Sequence, residues 1–578
     1  VRKIYAFPLH HCTFYNHWPD CSMAERIKDM NDSNDNTDQG QSTSALTTDQ
    51  GTSTLTTGKW PLDASGSGFA FLALCYVSFF FALRLVLSST VGTDDVEQVI
   101  FAQDWALRYN PSQPPFYTWI LYSLFKIFGV GLPALGLLRY SLMFTALVFS
   151  FLCARRLIPN RRLATVAAFS PLLIYYVGWG WHQGFTHTSL LIPACFATFH
   201  AFLMVLDTGR ARDYLWLGCA LALGLNAKYG FALFTVALVL AAITDEQSRK
   251  RVLNPFVGLS LAVAAALVLP SLAGMGMSLD SYGDVYHRTM EMESPEGYAE
   301  QVAVGLGRLA LSTVSFLFPL WIFCLIFFPQ GLRRQALPDA PAGSTEECWR
   351  RISGRVLGRF LMIIFALAVL GVLVAGISYF KARWMPPILI LAPLYYFWRV
   401  GLASESGENL QKSIRCFAIT LVAVPVLVTA FWSAQRTIGD PLCNKCRLGD
   451  PYPEIAESIS AAGFTGGTIL SQDEHIGGNL RMRFTDARVV NLHYGYYIPP
   501  LKEGKNDGPS GGQCLMAWKA EDSSNLSPPP ELVRFLNQRL GHDAQIDHPP
   551  QMAAGINTAS GRSLRIGFVI LEGAGTCR

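Results

Sequence analysis

Long apolar runs separated by short polar breaks dominate the middle of the chain. Runs near or above the ~20 residues that cross a bilayer as helix occur at 68–90, 134–154, 162–178, 184–206, 213–226, 229–244, 253–274, 308–328, 356–377, 385–400 and 414–433. They predict an α-helical polytopic membrane protein with about 11 transmembrane helices. The runs 213–226 and 229–244 meet at Asn226-Ala227-Lys228-Tyr229 and read either as two short spans or as one bent span.

Past residue 433 the pattern changes. Gly467–Leu470, Ala487–Leu492, Cys514–Trp518 and Leu564–Leu571 are strand candidates, and Asp473–Phe484 and Pro529–Leu540 are helix candidates between them. Strands alternating with helices predict a small α/β domain over 434–578. At the other end, Asn31 to Thr57 is almost entirely polar. Such a segment cannot offset its ordering entropy by burial, so residues 1–60 read as a disordered tail. Residues 61–433 form the membrane module.

Charged residues make up 15% of the chain, against about a quarter in soluble domains. Charges are costly at the bilayer centre, so this deficit fits a lipid-facing surface. The net charge of +4 is small and spread out, which gives no sign of nucleic-acid binding. The basic clusters do carry information. Arg155, Arg156, Arg161 and Arg162 share one loop, Arg210 and Arg212 another, followed by Arg249–Arg251 and by Arg333, Arg334, Arg350, Arg351 and Arg355. All fall on one side if the first span runs outward, and the positive-inside rule makes that side cytoplasmic. Loops 91–133, 275–307 and 378–384, and everything after Trp432, are then outside, with the tail inside.

Cys443 and Cys446 follow the last span as C-x-x-C, with Cys514 and Cys577 further on. In an oxidising compartment these read as one or two structural disulfides, with Cys443 and Cys446 assigned first. A redox motif or zinc site is the alternative, but a lone C-x-x-C lacks a second ligand pair.

The first outer loop is the most informative segment. Asp94, Asp95 and Glu97 directly follow the first span. If a helix starts near Thr93, these acids occupy its first turn, where the helix dipole favours them whatever their further use. Tyr109-Asn110-Pro111-Ser112-Gln113-Pro114-Pro115-Phe116-Tyr117 then breaks the chain. Together 94–128 predicts two short helices on the membrane surface joined by a Pro-rich turn.

An acidic pair after the first span, a surface helix, then Gln113-Pro114-Pro115-Phe116-Tyr117 resembles the GT-C superfamily of membrane glycosyltransferases. More narrowly, the chain resembles the protein-mannosyltransferase and lipid A aminoarabinose-transferase families, and most of all the rhizobial lipopolysaccharide-core galacturonosyltransferases. Trp181–Thr188, Asn226–Gly230, Phe380–Pro387 and Glu474–Arg481 are similar to later family segments. The resemblance covers roughly residues 68–578.

It implies transfer of a sugar from a polyprenyl-phosphate donor to a lipid or polysaccharide acceptor, at the outer face of a bacterial inner membrane. A loop carboxylate would act as general base on the acceptor hydroxyl. Asp94 matches best, Asp95 second, with Glu97 in support. Lys228, Lys381 and Arg383 at outer helix ends would stabilise the leaving phosphate, although snorkelling to headgroups is the plain alternative for such cations. Gln113, Tyr117, His187 and Tyr229 are the matching substrate contacts. For His187 and its neighbour His182 a buried, hydrogen-bonded histidine is the more usual reading. Aminoarabinose and mannosyl transferases of this type often carry a basic residue before the paired prolines where this chain has Gln113, whereas the galacturonosyl-type relatives tolerate Gln there. A divalent metal stays open as a cofactor. The polar loop 275–307 is either a lid or a plain connector. The competing function is a membrane transporter or lipid flippase, for which repeated halves are expected and none is visible. A non-catalytic membrane scaffold is the third reading.

Overall fold

The computed structural model describes residues 65–92, 94–276, 297–333, 345–403, 407–438, 447–501, 512–520, 526–544, 546, 548–558, 560–572 and 577. The polar tail, most of loop 275–307, and Cys443 and Cys446 lie outside the described residues.

The first half of the membrane module comprises α1 (Gly66–Leu87), the loop helices α2 (Asp94–Phe101) and α3 (Phe116–Phe128), α4 (Leu132–Leu157), α5 (Arg161–Phe169), α6 (His187–Asp207), α7 (Ala211–Ala227), α8 (Phe231–Ile243) and α9 (Val257–Gly276). It continues with α10 (Tyr298–Phe316), α11 (Leu320–Phe327), α12 (Thr345–Ala375), α13 (Ala392–Ala403) and α14 (Glu408–Thr437). The apolar runs predicted from sequence fall on these helices. Among the described residues, α1, α4, α6, α9, α12, the segment Pro386–Ala403 and α14 are each long and apolar enough to cross a membrane.

The remaining runs are shorter or broken. The run 162–178 is not one rod: α5 stops at Phe169, and a 3-10 turn, Ser170–Leu173, follows. Pro171 causes this, because proline lacks the N–H and clashes with the preceding turn. Pro319 likewise separates α10 from α11. The doubtful region 213–244 resolves into two helices, because Lys228 after α7 takes an extended conformation (φ −162°, ψ 136°).

α6 lies at the centre of the bundle, with 89% of its apolar window buried, whereas only 11% of the α14 window is. Large apolar side chains such as Phe71, Met362 and Val422 point outward at 65%, 67% and 67% exposure, as a lipid-facing surface requires. At the end of α1 the buried Arg84 donates to the carbonyls of Ser88 (3.1 Å) and Thr90 (2.6 Å). These bonds fix the chain's exit into the acidic loop.

The C-terminal domain holds α15 (Tyr452–Ala461), β1 (Gly467–Ser471), α16 (Glu474–Arg481), β2 (Arg488–Asn491), β3 (Gln513–Lys519), α17 (Pro530–Leu540), β4 (Gln551–Ile556) and β5 (Ser563–Glu572). Its sheet runs β2-β1-β3-β5-β4, with β1 parallel to β2 and β3, and β5 antiparallel to β3 and β4. All four predicted strands and both predicted helices are present. β4 and α15 are additions; β4 contains Ala553-Ala554-Gly555, little that favours a strand except pairing with β5. Alternate residues divide the sheet between two cores. Ile469, Val489, Leu515 and Ile566 face one, and Leu470, Val490, Met516 and Val569 face the other with Leu532 and Leu536 of α17. Cys514 and Cys577 are joined by a disulfide.

The first of those cores also takes in Ile100, Phe101 and Tyr109 from the acidic loop. At about 1.5–3 kcal/mol for each fully buried large apolar side chain, these three alone bind the loop firmly to the domain. Polar bonds set the register. Asn479 of α16 exchanges two 2.9 Å hydrogen bonds with the backbone of Val91. Arg481 donates to the carbonyls of Val99 and Ala102, satisfying the C-terminal end of α2. Gln103 pairs with the backbone of Val489 (2.9 and 2.7 Å), closing the open edge of β2. The helices approach so closely that a Cβ at Gly478 would meet the Val96 carbonyl oxygen at 2.9 Å.

Gly478→Val should therefore overpack this contact and cost about 1–3 kcal/mol. The check is a lower thermal unfolding midpoint together with faster proteolysis of the C-terminal domain.

Candidate active site

Helix α2 places three acids in its first turn; Thr93, the expected cap, lies outside the described residues. The helical period separates their roles, because successive residues turn about 100° around the axis. Asp95 points into the bundle and forms a buried ion pair with Arg139 of α4 through both carboxylate oxygens. Gly184 (φ +115°) brings the 181–187 loop against the same carboxylate, where a Cβ would lie 3.1 Å from Asp95 Oδ2.

Asp94 points elsewhere and is only partly buried. Burial raises the pKa of its carboxyl, while the charges of Arg383, Lys228 and Arg139 oppose that rise and Asp95 adds to it. Lys228 is lowered to about 8, first by burial and then by Arg383, against the pull of Asp94. Asp94, Lys228 and Arg383 are thus mutual electrostatic neighbours. Arg383, in the 3-10 turn Ala382–Trp384, is exposed. Lys381 sits 4.4 Å over the Tyr379 ring and 5.7 Å from that of Trp384, with its pKa lowered by burial and by Arg383. Aromatic faces hold such a cation at the water boundary.

Glu97 accepts a 2.7 Å hydrogen bond from Asn110, whose own Oδ1 accepts from the Ser112 N–H at 2.8 Å. That turn sets Gln113, whose Oε1 is buried with no hydrogen-bond partner among the described residues. Gln98 accepts from Thr118 at 2.7 Å and lies 3.4 Å from His187 Nε2. The Tyr117 ring packs 5.5 Å from the His187 ring, and its buried hydroxyl has no hydrogen-bond partner among the described residues. Tyr229, next to Lys228, is partly buried. His182 is a structural histidine, stacked 4.1 Å from Phe80 and placed between the hydroxyls of Tyr76 (3.3 Å) and Tyr140 (3.2 Å).

Residues to which sequence reasoning gave no role stand beside these acids. Arg139 is hidden inside an apolar span, where only its charge could have marked it. The C-terminal domain adds Glu474, which pairs with His493 at 3.0 Å. Burial alone would raise Glu474, but the His493 bond and neighbouring charges bring it below the usual range. Burial pushes Glu97 up to about 7, with Asn110 opposing and Asp94 and Glu474 adding to the rise. The Tyr494 hydroxyl is raised by burial and by Glu97 and Glu474. Among the described residues no group of three His, Cys, Asp or Glu side chains could hold a metal ion.

Comparison with known proteins identifies the family. Residues 112–273 match the family model described as dolichyl-phosphate-mannose-protein mannosyltransferase. The chain is 30% identical over 480 residues to lipopolysaccharide core galacturonosyltransferase RgtB of Rhizobium johnstonii, covering 82% of this chain and 92% of that protein. It is 28% identical to galacturonosyltransferase RgtA of the same organism, over 77% of this chain and 85% of the relative. In fold it matches ArnT from Cupriavidus metallidurans bound to undecaprenyl phosphate, with TM-score 0.55 and 12% identity over 87% of this chain and 98% of that one. The apo form of ArnT gives 0.53. Fold and relatives together define a multi-pass membrane glycosyltransferase of GT-C type. Within that class, the chain belongs to the family of lipopolysaccharide core galacturonosyltransferases. Membership favours glycosyl transfer over the transporter, flippase and scaffold readings.

Two outcomes follow from the geometry. Arg139→Met leaves Asp95 buried and unpaired and should cost about 3–5 kcal/mol; pairing it with Asp95→Leu should recover much of the loss in unfolding midpoint. The folded state keeps the Glu97 proton up to about pH 7, whereas the unfolded carboxyl releases it near 4.5. Folding therefore takes up a proton in that window, and stability falls as pH rises through it. Glu97→Gln should flatten that stretch of the midpoint-versus-pH curve.

Proposed function

We propose that the enzyme transfers galacturonic acid from a polyprenyl-phosphate donor to a lipopolysaccharide-core acceptor at the periplasmic face of a bacterial inner membrane. The observation that carries this reading is the division of labour on α2. Arg139 holds Asp95, while the positive charges of Arg383 and Lys228 act on Asp94. A base beside two cations is what this displacement needs.

Asp94 takes the proton of the acceptor hydroxyl as its oxygen attacks the anomeric carbon of the sugar. The bond from that carbon to the phosphate oxygen breaks, and the lipid phosphate leaves with one further negative charge. Arg383 and Lys228 stabilise that charge, Arg383 through its planar fork, and Lys381 supports them from its aromatic seat. The Asp95–Arg139 pair positions the helix and touches no substrate. Glu97, Gln113, Tyr117, His187 and Tyr229 line the approach. The buried, unpartnered polar atoms of Gln113 and Tyr117 favour substrate contact for these two, because such atoms are costly when left unpaired.

Membership in a family whose curated relatives are named lipopolysaccharide core galacturonosyltransferases supports the sugar and acceptor. The neighbour bound to undecaprenyl phosphate supports the donor class. Two features favour the periplasmic placement. The Cys514–Cys577 disulfide suits an oxidising compartment, and the basic loops gather at the opposite ends of the spans. On this reading residues 1–60 form a cytoplasmic tail, 61–433 the catalytic membrane module and 434–578 a periplasmic domain.

The test uses purified protein, labelled polyprenyl-phosphate sugars and a lipopolysaccharide-core acceptor. Asp94→Asn should lower kcat by about 10²–10⁴-fold, and normal turnover would sink the base assignment. Arg383→Gln should lower kcat/KM for the donor at least tenfold, a loss of about 1.4 kcal/mol of transition-state stabilisation. Absence of transfer from every donor would return the transporter reading.

A further inference from the structure

The parallel strands of the C-terminal domain end at one edge of its sheet. β1 leads through α16 to β2 on one flank, and β3 lies on the other flank of β1. In open α/β sheets such a reversal of strand order leaves a crevice outside the carboxyl ends of the strands, where ligands bind. Glu474 follows the end of β1, and His493 follows the end of β2. Local caps hold both in place. Asp473 Oδ1 accepts from the Ile476 N–H at 2.8 Å, which starts α16 at Glu474. Asn491 Oδ1 accepts from the His493 N–H, and its Nδ2 donates to Ser471 Oγ, both at 2.9 Å.

This edge is turned toward the acidic loop. The Tyr494 ring packs 5.0 Å from that of Phe101 in α2, and Tyr497 donates to the Phe101 carbonyl at 2.9 Å. Tyr494 lies within electrostatic reach of Glu97, Glu474 and Asp94, and Asp94 also acts on Lys228. The cations of the bundle and the edge of the domain thus have Asp94 as a common neighbour. With the leaving phosphate on the cations, the domain is left to the molecule that brings the hydroxyl.

The chemistry of the edge suits a polyhydroxylated ligand. Glu474 Oε2 lies 3.0 Å from His493 Nδ1. A carboxylate only accepts, so Nδ1 carries the proton and Nε2 of the neutral ring is an acceptor. The two side chains are 30% and 59% exposed. Such an exposed pair adds little to stability, and its remaining lone pairs are open to a ligand. Tyr494 and the exposed Tyr496, with ring centroids 6.0 Å apart, add aromatic surface beside it. A few fixed polar groups next to aromatic faces orient a small ligand.

We propose that Glu474 and His493 bind hydroxyl groups of the acceptor saccharide, with the rings of Tyr494 and Tyr496 against its apolar face. The proposal rests on the transfer reading above and gives the acceptor side of the reaction to the C-terminal domain.

Two measurements on the purified full chain test it. In steady-state assays with labelled polyprenyl-phosphate galacturonic acid and lipopolysaccharide-core oligosaccharide, His493→Ala and Glu474→Ala should each raise KM for the acceptor at least tenfold. KM for the donor should stay within about twofold. The double variant should be about as weak as either single one, because residues that act as a unit are not additive. His542→Ala, at an exposed histidine just past α17, should change neither constant. Calorimetric titration with the same oligosaccharide needs no turnover. If wild type transfers nothing, the transfer reading fails, yet tenfold weaker oligosaccharide binding by His493→Ala still supports this subsite. If Glu474→Ala does not fold, the exposed His493 decides alone. No binding of the oligosaccharide by wild type, unchanged affinity in folded His493→Ala, or equal rises in both KM values overturns the proposal.

Discussion

Helix α2 is held from both sides, and the architecture of the cleft depends on that. On the bundle side Asp95 is paired with the buried guanidinium of Arg139. On the other side Arg481 takes the carbonyls at the C-terminal end of α2, and Asn479 takes the backbone just before its start. A helix of eight residues is too short to persist alone in water. Its existence and its angle are therefore properties of these contacts. Its dipole is complemented at both ends, acids at the start and Arg481 at the finish.

A buried ion pair is a weak source of net stability, because desolvating two charges offsets most of their attraction. Its worth here is directional. Both oxygens of Asp95 accept from one nitrogen, Nη2 of Arg139, and this buried anchor holds one face of α2 toward α4. The neighbouring residue, Asp94, forms no such pair among the described residues, and the charges of Arg383 and Lys228 act on it alongside that of Arg139. Gly184 and Gly478 allow the 181–187 loop and α16 to approach α2 from different directions without clashing.

The C-terminal domain is consequently part of the cleft as well as an appendage to the bundle. It shares a hydrophobic core with Ile100, Phe101 and Tyr109, and it brings Glu474 and Tyr494 within electrostatic range of Glu97. Gln103 closes the edge of β2 with a side chain from the loop, so the sheet and the acidic loop complete one another's hydrogen bonding.

Much of this protein was legible from local pattern. Runs of apolar residues determine where helices lie, because backbone polar groups in lipid must be satisfied within the segment. Strand periodicity located four of five strands; β4 was missed because Ala553-Ala554-Gly555 carries almost no strand preference apart from its partner β5. The acids of α2, the cations at Lys228 and Arg383, and the paired prolines were visible as unusual residues for their positions. The division between Asp94 and Asp95 was not, since neighbours in a chain have nearly the same local sequence. Only packing decides which of them meets an arginine forty-four residues away. The partners of Arg139, Asn110, Glu474 and Arg481 were hidden for the same reason. Each acts through a partner distant in the chain, and local pattern determines elements while tertiary contact determines which side chains face one another.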